Sequence, residues 1–357
     1  SPHGGVLALM GDDHTAKSST LAHQSEYAMM DAMIPILSPS GVQEFLDLGL
    51  HGFAMSRFSG CWTAFKCVTM TVDSSASVYV DPHRVSIKAP HEFHLPEGGL
   101  NIRWPDVQLE QETRLHNFKL AAAQAYTRSN QLDQIVINKG PARLGIVAAG
   151  KSYLDVRQAF ADLELDESDL IRLGIRVYKP ALVWPLEREQ LREFARGLDE
   201  ILVIEEKRGL IEDQIKEILY NSSQRPKLIL GKTDEDGGVL FPSTYQLTAG
   251  GIALALAERI GRFGDADRLI NQAKFLRKKH GPTPTTGNVL RTPYFCSGCP
   301  HNSSTRVPEG SRALSGIGCH YLAQHMDRST ATYTHMGAEG ATWIGQSPFN
   351  GNQHVFV

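Results

Sequence analysis

The stretch 144–219 constrains the fold more than any other part of the chain. Three short apolar runs, LGIVAAG (144–150), IRVYK (175–179) and ILVIEE (201–206), are each followed by a helix-like segment: one from Tyr153, one over 188–197 and one over 210–219. Runs this largely apolar suit strands buried on both faces, and strands joined through helices pair in parallel by crossover connections. A looser form of the same alternation opens the chain. A strand is expected over 6–10, a polar loop over 11–19, a helix over 26–33, a strand over 34–37, a helix over 42–57 and a strand over 61–70. The expected fold class is α/β, with parallel sheets covered by helices.

The remaining segments divide the chain. Residues 73–105 carry Pro82, Pro90, Pro96 and Pro105 and read as a polar connector, followed by a charged helix over about 107–129. Two helical runs, 248–260 and 265–279, precede a Pro/Thr-rich linker, HGPTPTTGN, at 280–288. Residues 294–357 are rich in Gly, Cys, His and Ser, with too little helix to close a core of their own. There is no internal repeat and no low-complexity tract.

Composition excludes several classes. With 41% hydrophobic and 21% charged residues the chain is of ordinary globular type, neither disordered nor collagen-like. A net charge of −3 argues against wholesale nucleic-acid binding. No window of about 18 uncharged apolar residues is present, so no membrane-spanning helix is expected. Five cysteines in 357 residues do not make a disulfide framework, and a reducing cytoplasm suits them. No signal peptide is expected. The chain opens on SPHGGV without a methionine and stops on HVFV, which reads as an internal fragment.

Three motifs bear on chemistry. Gly145–Ser152 matches the phosphate-loop pattern G-x-x-x-x-G-K-[ST] letter for letter. In a true phosphate loop the strand precedes the first glycine and the x positions are loop. Here Ile146, Val147, Ala148 and Ala149 are themselves strand-like, so a strand-to-helix turn is the expected structure. Cys296 and Cys299, with Cys319 twenty residues on, have the spacing of metal or cluster ligands, the alternative being small buried residues near a turn. Zinc would use these three with His301 or His320. A [4Fe–4S] cluster would need a fourth cysteine. Two polar loops, 11–19 and 335–340, sit where α/β proteins place ligands, although a solvated loop accounts for either. Cys61 and Cys67 are expected in the core. Glu205, Glu206 and Glu212 are expected to end a strand and stud a helix face.

GDDHTAKSSTLAHQSE (11–26), FSGCWTAFKCV (58–68), YFCSGCPHNSST (294–305), GIGCHYLAQHMDR (316–328) and HMGAEGATWIGQSPF (335–349) together resemble the indolepyruvate ferredoxin oxidoreductases in their single-chain bacterial form. These belong to the thiamine-diphosphate-dependent 2-oxoacid:ferredoxin oxidoreductases, and the resemblance runs in order along essentially the whole chain. It implies that 1–80 are the second half of a pyrimidine-binding domain and 81–141 a connector with a helix. It further implies that 142–225 form a transketolase C-terminal-like domain, 226–289 a helical linker region, and 290–357 the start of a diphosphate-binding domain.

The reaction so implied is oxidative decarboxylation of an arylpyruvate, with thiamine diphosphate and Mg²⁺ as cofactors. Electrons would pass singly through a [4Fe–4S] cluster to ferredoxin or a similar acceptor, and coenzyme A would take the acyl group. By position the cluster ligands would be Cys296, Cys299 and Cys319, which favours the cluster over zinc. His335, Met336 and Gly337 would lie close to the thiamine cofactor. Asp12, Asp13, Ser18 and Ser19 match positions near the active-site mouth. Ala16 stands where the family pattern has a cysteine. The Mg²⁺ motif and the glutamate that activates the pyrimidine are expected outside the chain, so these residues alone are expected to be inactive. A homo-oligomer is expected as well. The alternatives are a nucleotide hydrolase built on Gly145–Ser152 and a zinc-stabilised interaction module built on Cys296, Cys299 and His301.

Overall fold

The computed structural model describes residues 3–17, 19, 21–263, 266–280, 292–351 and 354–357. Residues 281–288 of the linker, and Asp265 at the expected start of a helix, lie outside the described residues. The chain divides into two units, Ser1–Gly281 and Pro282–Val357.

The first unit holds two sheets. Its elements run β1 (Leu7–Asp12), α1 (Glu26–Asp31), β2 (Ile36–Leu37), α2 (Val42–Ser59), β3 (Thr63–Val68) and α3 (Thr69–Val72). After the connector come α4 (Gln108–Arg114), α5 (Leu120–Ser129) and β4 (Gln134–Ile137). The expected helix over 107–129 is thus interrupted by a π-helical turn, Leu115–Lys119. The strongly patterned block follows as β5 (Leu144–Ala148), α6 (Gly150–Asp162), α7 (Glu167–Arg172), β6 (Ile175–Lys179), β7 (Leu182–Trp184), α8 (Arg188–Ala195), β8 (Glu200–Ile204) and α9 (Ile211–Leu219). Then come β9 (Leu228–Leu230), α10 (Ala249–Ile260) and α11 (Ala266–His280).

The smaller sheet has the order β1-β3-β2-β7 and the larger β4-β6-β5-β8-β9. Within them β1, β2 and β3 pair in parallel, as do β6, β5, β8 and β9. Only β7 and β4 run antiparallel to their neighbours. The α/β class with parallel sheets and covering helices is therefore what the chain forms.

Local signals account for several boundaries. Asp166 closes a capping box with Asp169 at the start of α7, Glu187 accepts from Gln190 N (2.6 Å) ahead of α8, and Thr248 accepts from Gly251 N ahead of α10. In α9, Ile211, Ile215 and Leu219 recur at helical spacing and are buried. Each such side chain contributes roughly 1.5–3 kcal/mol by leaving water.

β6 and β7 belong to different sheets although only two residues separate them. Buried Asp133 holds this crossing. Its Oδ1 accepts from Ala181 N (2.8 Å) and Leu182 N (3.0 Å), and the Tyr178 hydroxyl donates to Oδ2 at 2.7 Å. Lys179 adds an ion pair to Glu44.

The second unit, described by itself, is small. It has α12 (His301–Ser304), a parallel pair β10 (Ala313–Ser315) and β11 (Thr330–Tyr333), and α13 (Ala341–Gln346). Its buried apolar side chains among the described residues are Phe295, Ala313, Leu314 and Ala323. That is a thin core, as the composition of 294–357 led one to expect.

Candidate functional site

In the first unit the carboxyl ends of β1, β5 and β8, with Lys66 of β3, converge on a buried polar cluster. The turn after β1 brings His14, and α1 begins with Glu26. The turn after β5 brings Lys151 and Ser152, and the turn after β8 brings Glu205, Glu206 and Lys207. Loops at the carboxyl ends of parallel strands are where α/β folds collect ligands.

Lys66 is the hub. Its ammonium pairs with Glu26 and stands 3.8 Å from Asp12 Oδ2. Burial works against that charge, but Glu26 and Asp12 outweigh it and push the Lys66 pKa up. Glu26 answers in kind: burial favours its neutral form, yet Lys66 draws its pKa below the ordinary value. Both groups are therefore ionised, a buried pair of the kind that is costly to break.

A second set surrounds Lys151, whose ammonium donates to Asp155 (2.5 Å), Glu206 (2.9 Å) and the Leu247 carbonyl (3.0 Å). Glu206 also accepts from Leu247 N at 3.0 Å. Glu205 caps α9, accepting from Leu210 N (3.0 Å), Ile211 N (2.8 Å) and Glu212 N (2.9 Å). Burial raises the Glu205 pKa to about 7 against these donors. As expected, Glu205 and Glu206 end β8 and Glu212 sits on α9; beyond that expectation all three are buried, and they tie α9, the loop before α10 and Gly231–Lys232 to β8. An acidic doublet closing a largely apolar strand was the signal that could have shown their burial.

The letter-perfect phosphate-loop match dissolves on inspection. Gly145–Ala148 lie inside β5, where backbone groups are spent on the ladder. Gly145 is glycine because a Cβ there would stand 2.7 Å from Phe194 Cζ and against Leu198. Lys151 is held by three partners inside the protein. No phosphate cradle is formed.

Between these sets lies a small, partly open cavity of about 40 Å³, walled by His14, Glu26, Lys66, Lys151 and Glu205 among others. That volume has room for water but not for a cofactor. Two of its polar walls are unpartnered: both ring nitrogens of His14, and Glu26 Oε2. Burial, reinforced by Lys66, lowers the His14 pKa to about 3. The ring is neutral at pH 7.

The loop residues read from the sequence are placed as follows. Asp12 is buried and accepts from Ser25 N (3.2 Å) and Ser25 Oγ (2.5 Å). Asp13 is buried and accepts from Thr15 N (3.4 Å) and Ser19 N (3.0 Å). Both carboxylates thus shape their own loop. Ser18 lies outside the described residues.

In the second unit Cys296 and Cys299 share a turn. Cys299 N donates to Cys296 O at 3.0 Å, and Cys299 Sγ lies 3.3 Å from His301 Nδ1. His301 stacks on Phe295 and faces His320 with ring centres 6.0 Å apart. Cys319 is exposed on a following 3₁₀ helix, Gly318–His325. Among the described residues no three His, Cys, Asp or Glu side chains stand together as a metal-holding group. The C-x-x-C turn fits the start of a thiolate site, but Cys319 is not gathered to it. Met336 is 79% exposed beside Gly337, whose left-handed φ of 84° leaves open space on its Cβ side. His335 accepts at its carbonyl from Ala338 N, 3.0 Å away. The cofactor-facing residues implied by resemblance therefore occur as two separate sets, one in each unit, and neither forms a closed pocket by itself.

Residues 134–280 match the family model of the indolepyruvate oxidoreductase domain. The indolepyruvate oxidoreductase subunit IorA of Pyrococcus abyssi is 24% identical over 332 residues, covering 90% of this chain and 47% of that protein. The corresponding subunit of Archaeoglobus fulgidus is 25% identical over 334 residues, 89% of this chain and 48% of that protein. That of Methanothermobacter marburgensis is 23% identical, with 96% and 53% covered. The chain spans about half the length of the curated relatives it matches. Among solved structures, a 2-oxoglutarate:ferredoxin oxidoreductase from Magnetococcus marinus aligns with a TM-score of 0.44 at 14% identity, over 71% of this chain and 48% of that one. A split-gene transketolase aligns with a TM-score of 0.38 at 14% identity, over 76% and 65%.

Proposed function

We propose that the chain, whose motifs and matched relatives are those of the indolepyruvate oxidoreductases, is part of an enzyme converting arylpyruvates, indolepyruvate among them, to aryl-acetyl-CoA. The electrons go to ferredoxin or a similar acceptor in the cytoplasm. The observation that carries this reading is the continuous match to oxidoreductase subunits over nine-tenths of the chain. Support also comes from the position of the polar cluster, at strand carboxyl ends and beside the 11–26 segment on which the resemblance rests.

Thiamine diphosphate, when bound, supplies the electron sink that decarboxylation needs. This chain's residues supply the surroundings. Lys66 pairs with Glu26 and stands beside Asp12, and His14 presents one N–H and one lone pair. Asp12, Asp13, Ser18 and Ser19 are proposed to lie near the active-site mouth, and His335, Met336 and Gly337 are proposed as cofactor-binding residues. Cys296 and Cys299 are proposed as cluster thiolates, with Cys319 joining them in the loaded enzyme. The domain assignment by resemblance, from the pyrimidine-binding half over 1–80 to the diphosphate-binding start at 290, belongs to the same proposal. So does assembly into an oligomer, in keeping with relatives named as subunits.

The test is turnover by the full-length protein purified without oxygen. With thiamine diphosphate, Mg²⁺ and coenzyme A, arylpyruvates should drive reduction of a viologen dye faster than pyruvate or 2-oxoglutarate. Absence of any 2-oxoacid-dependent reduction refutes the reading. Iron and acid-labile sulfide in the same preparation check the cysteines, and zinc without sulfide removes the cluster.

A further inference from the structure

The cavity wall formed by His14 is shared with a second, open groove of about 530 Å³. Lys207, Arg208, His23, Gln24 and Tyr245 contribute to its lining, and no Asp or Glu does. The groove is large enough for a small organic ligand.

Its cations are unusual. Lys207 is only 9% exposed, yet among the described residues its ammonium makes no hydrogen bond or ion pair. The Lys207 side chain lines the open groove, so its charge faces whatever occupies that groove and not a partner within the chain. Its backbone is also left-handed, with φ 57°, a conformation that costs a non-glycine residue roughly 1–2 kcal/mol. Tyr245, across the same groove, is the second non-glycine residue there in that conformation, with φ 58°. Such strain collects where a ligand is bound.

The placement follows from the turn after β8. Glu205 and Glu206 are committed inward, to the start of α9 and to Lys151. The two residues that follow are turned to the groove instead. Arg208 is fixed without a carboxylate: its guanidinium lies 3.8 Å over the Tyr27 ring, and its Nε donates to Gln24 Oε1 at 3.3 Å. His23 adds a third positive group. Its Nε2 faces the Gly11 carbonyl at 2.7 Å and its Nδ1 the Leu21 carbonyl at 3.2 Å. Two carbonyl partners require both nitrogens to donate, so the ring is an imidazolium when both bonds are made. His14 completes the floor, with its two orphaned ring nitrogens.

We propose that Lys207 and His14 form the floor of a binding site for an oxyanion headgroup, a carboxylate or a phosphate, on a ligand whose apolar or aromatic body rests against Tyr245. Lys207 supplies the counter-charge, His14 a neutral N–H donor, and Arg208 and His23 the surrounding positive field. Arg208 lies at the rim and steers the anion more than it holds it. The site stands whether or not the protein turns over 2-oxoacids, because Lys207 and Arg208 have no carboxylate partner among the described residues and His14 has no hydrogen-bond partner. His23 is already paired with Asp12 at 3.5 Å and adds only to the field.

The test is calorimetric titration of the chain at low salt with sodium phenylpyruvate and, separately, with inorganic pyrophosphate. Saturable binding of either, weakened at least tenfold in Lys207→Gln and weakened by added salt, supports the site, and the ligand that saturates identifies the source of the oxyanion. Lys207→Gln removes an unpaired charge, so it should melt no lower than the parent. If it fails to fold, Arg208→Gln should still weaken binding several-fold. No saturable binding by either ligand, or parental affinity in a folded Lys207→Gln, overturns the proposal. The readout is binding without turnover, so its failure is distinct from failure of the dye assay.

Discussion

Replacing Lys66 with methionine is the most direct probe of the buried cluster. Methionine retains most of the volume and removes the charge, leaving Glu26 (5% exposed) and Asp12 (2% exposed) without their cation. The cost has a ceiling, because Glu26 can take up a proton instead of remaining an uncompensated anion. For a carboxyl of ordinary pKa 4.5, neutralisation at pH 7 costs about 3.4 kcal/mol, which agrees with the roughly 3–5 kcal/mol expected on breaking a buried pair. At pH 5 the same neutralisation costs only about 0.7 kcal/mol.

The sign follows from linkage. In the parent, Glu26 has a lowered pKa, so its contribution is present above about 4.5 and does not change between pH 5 and 7. In the variant its pKa lies above the unfolded value, so stability is lost as pH rises through that window. His14 moves the same way, since losing Lys66 removes part of what depresses its pKa. Urea denaturation followed by far-ultraviolet circular dichroism should show a loss of about 3–4 kcal/mol at pH 7 shrinking to about 1 kcal/mol at pH 5. A loss under about 1 kcal/mol at pH 7, or one that does not shrink at pH 5, refutes the assignment of Lys66 as the hub.

Three further outcomes follow from the geometry. Gly145→Ala drives a methyl into Phe194 and Leu198 and should cost about 1–3 kcal/mol in urea denaturation; tolerance of alanine would mean α8 does not press on β5 as described. ATP titration should show no saturable binding, and binding abolished by Lys151→Ala would restore the phosphate-loop reading. Burial raises the Asp133 pKa to about 6, so its contribution is full below the ordinary 3.8 and lost as pH rises through 6. Asp133→Asn should therefore gain about 2 kcal/mol on the parent between pH 4 and pH 7, and parallel stability profiles would count against it.

Much of the fold was legible for a physical reason. Strands buried on both faces read as largely apolar runs, so β5 and the ILVI of β8, with their helices, stand out in the sequence, and β6 between them completes the alternation. The strands left unread are short or lie at edges. β7 is three residues inside KPALVWP, bracketed by prolines, and is a strand only because Asp133 delivers it to the other sheet. β4 and β9 are edge strands of four and three residues, whose pairing depends on a neighbour already in place.

The site was legible only as loops, and His14 shows why. The sequence pointed to its neighbours Asp12 and Asp13, which prove to be occupied in shaping the loop. His14 itself carries no spacing signal. Its importance comes from Glu26 and Lys66, and from Lys151 and Lys207 more than a hundred residues away, none of which a linear pattern can associate with it. What a sequence does expose is a mismatch between residue type and local burial. Glu205, Glu206 and Lys207 follow a strand buried along its whole length, so three consecutive charges are drawn into buried positions before Arg208 reaches the surface. The two acids are neutralised by N–H groups and by Lys151, while the two cations are not neutralised by any carboxylate among the described residues. An imbalance of that kind, at the carboxyl end of a parallel strand, points to an anion supplied from outside the chain.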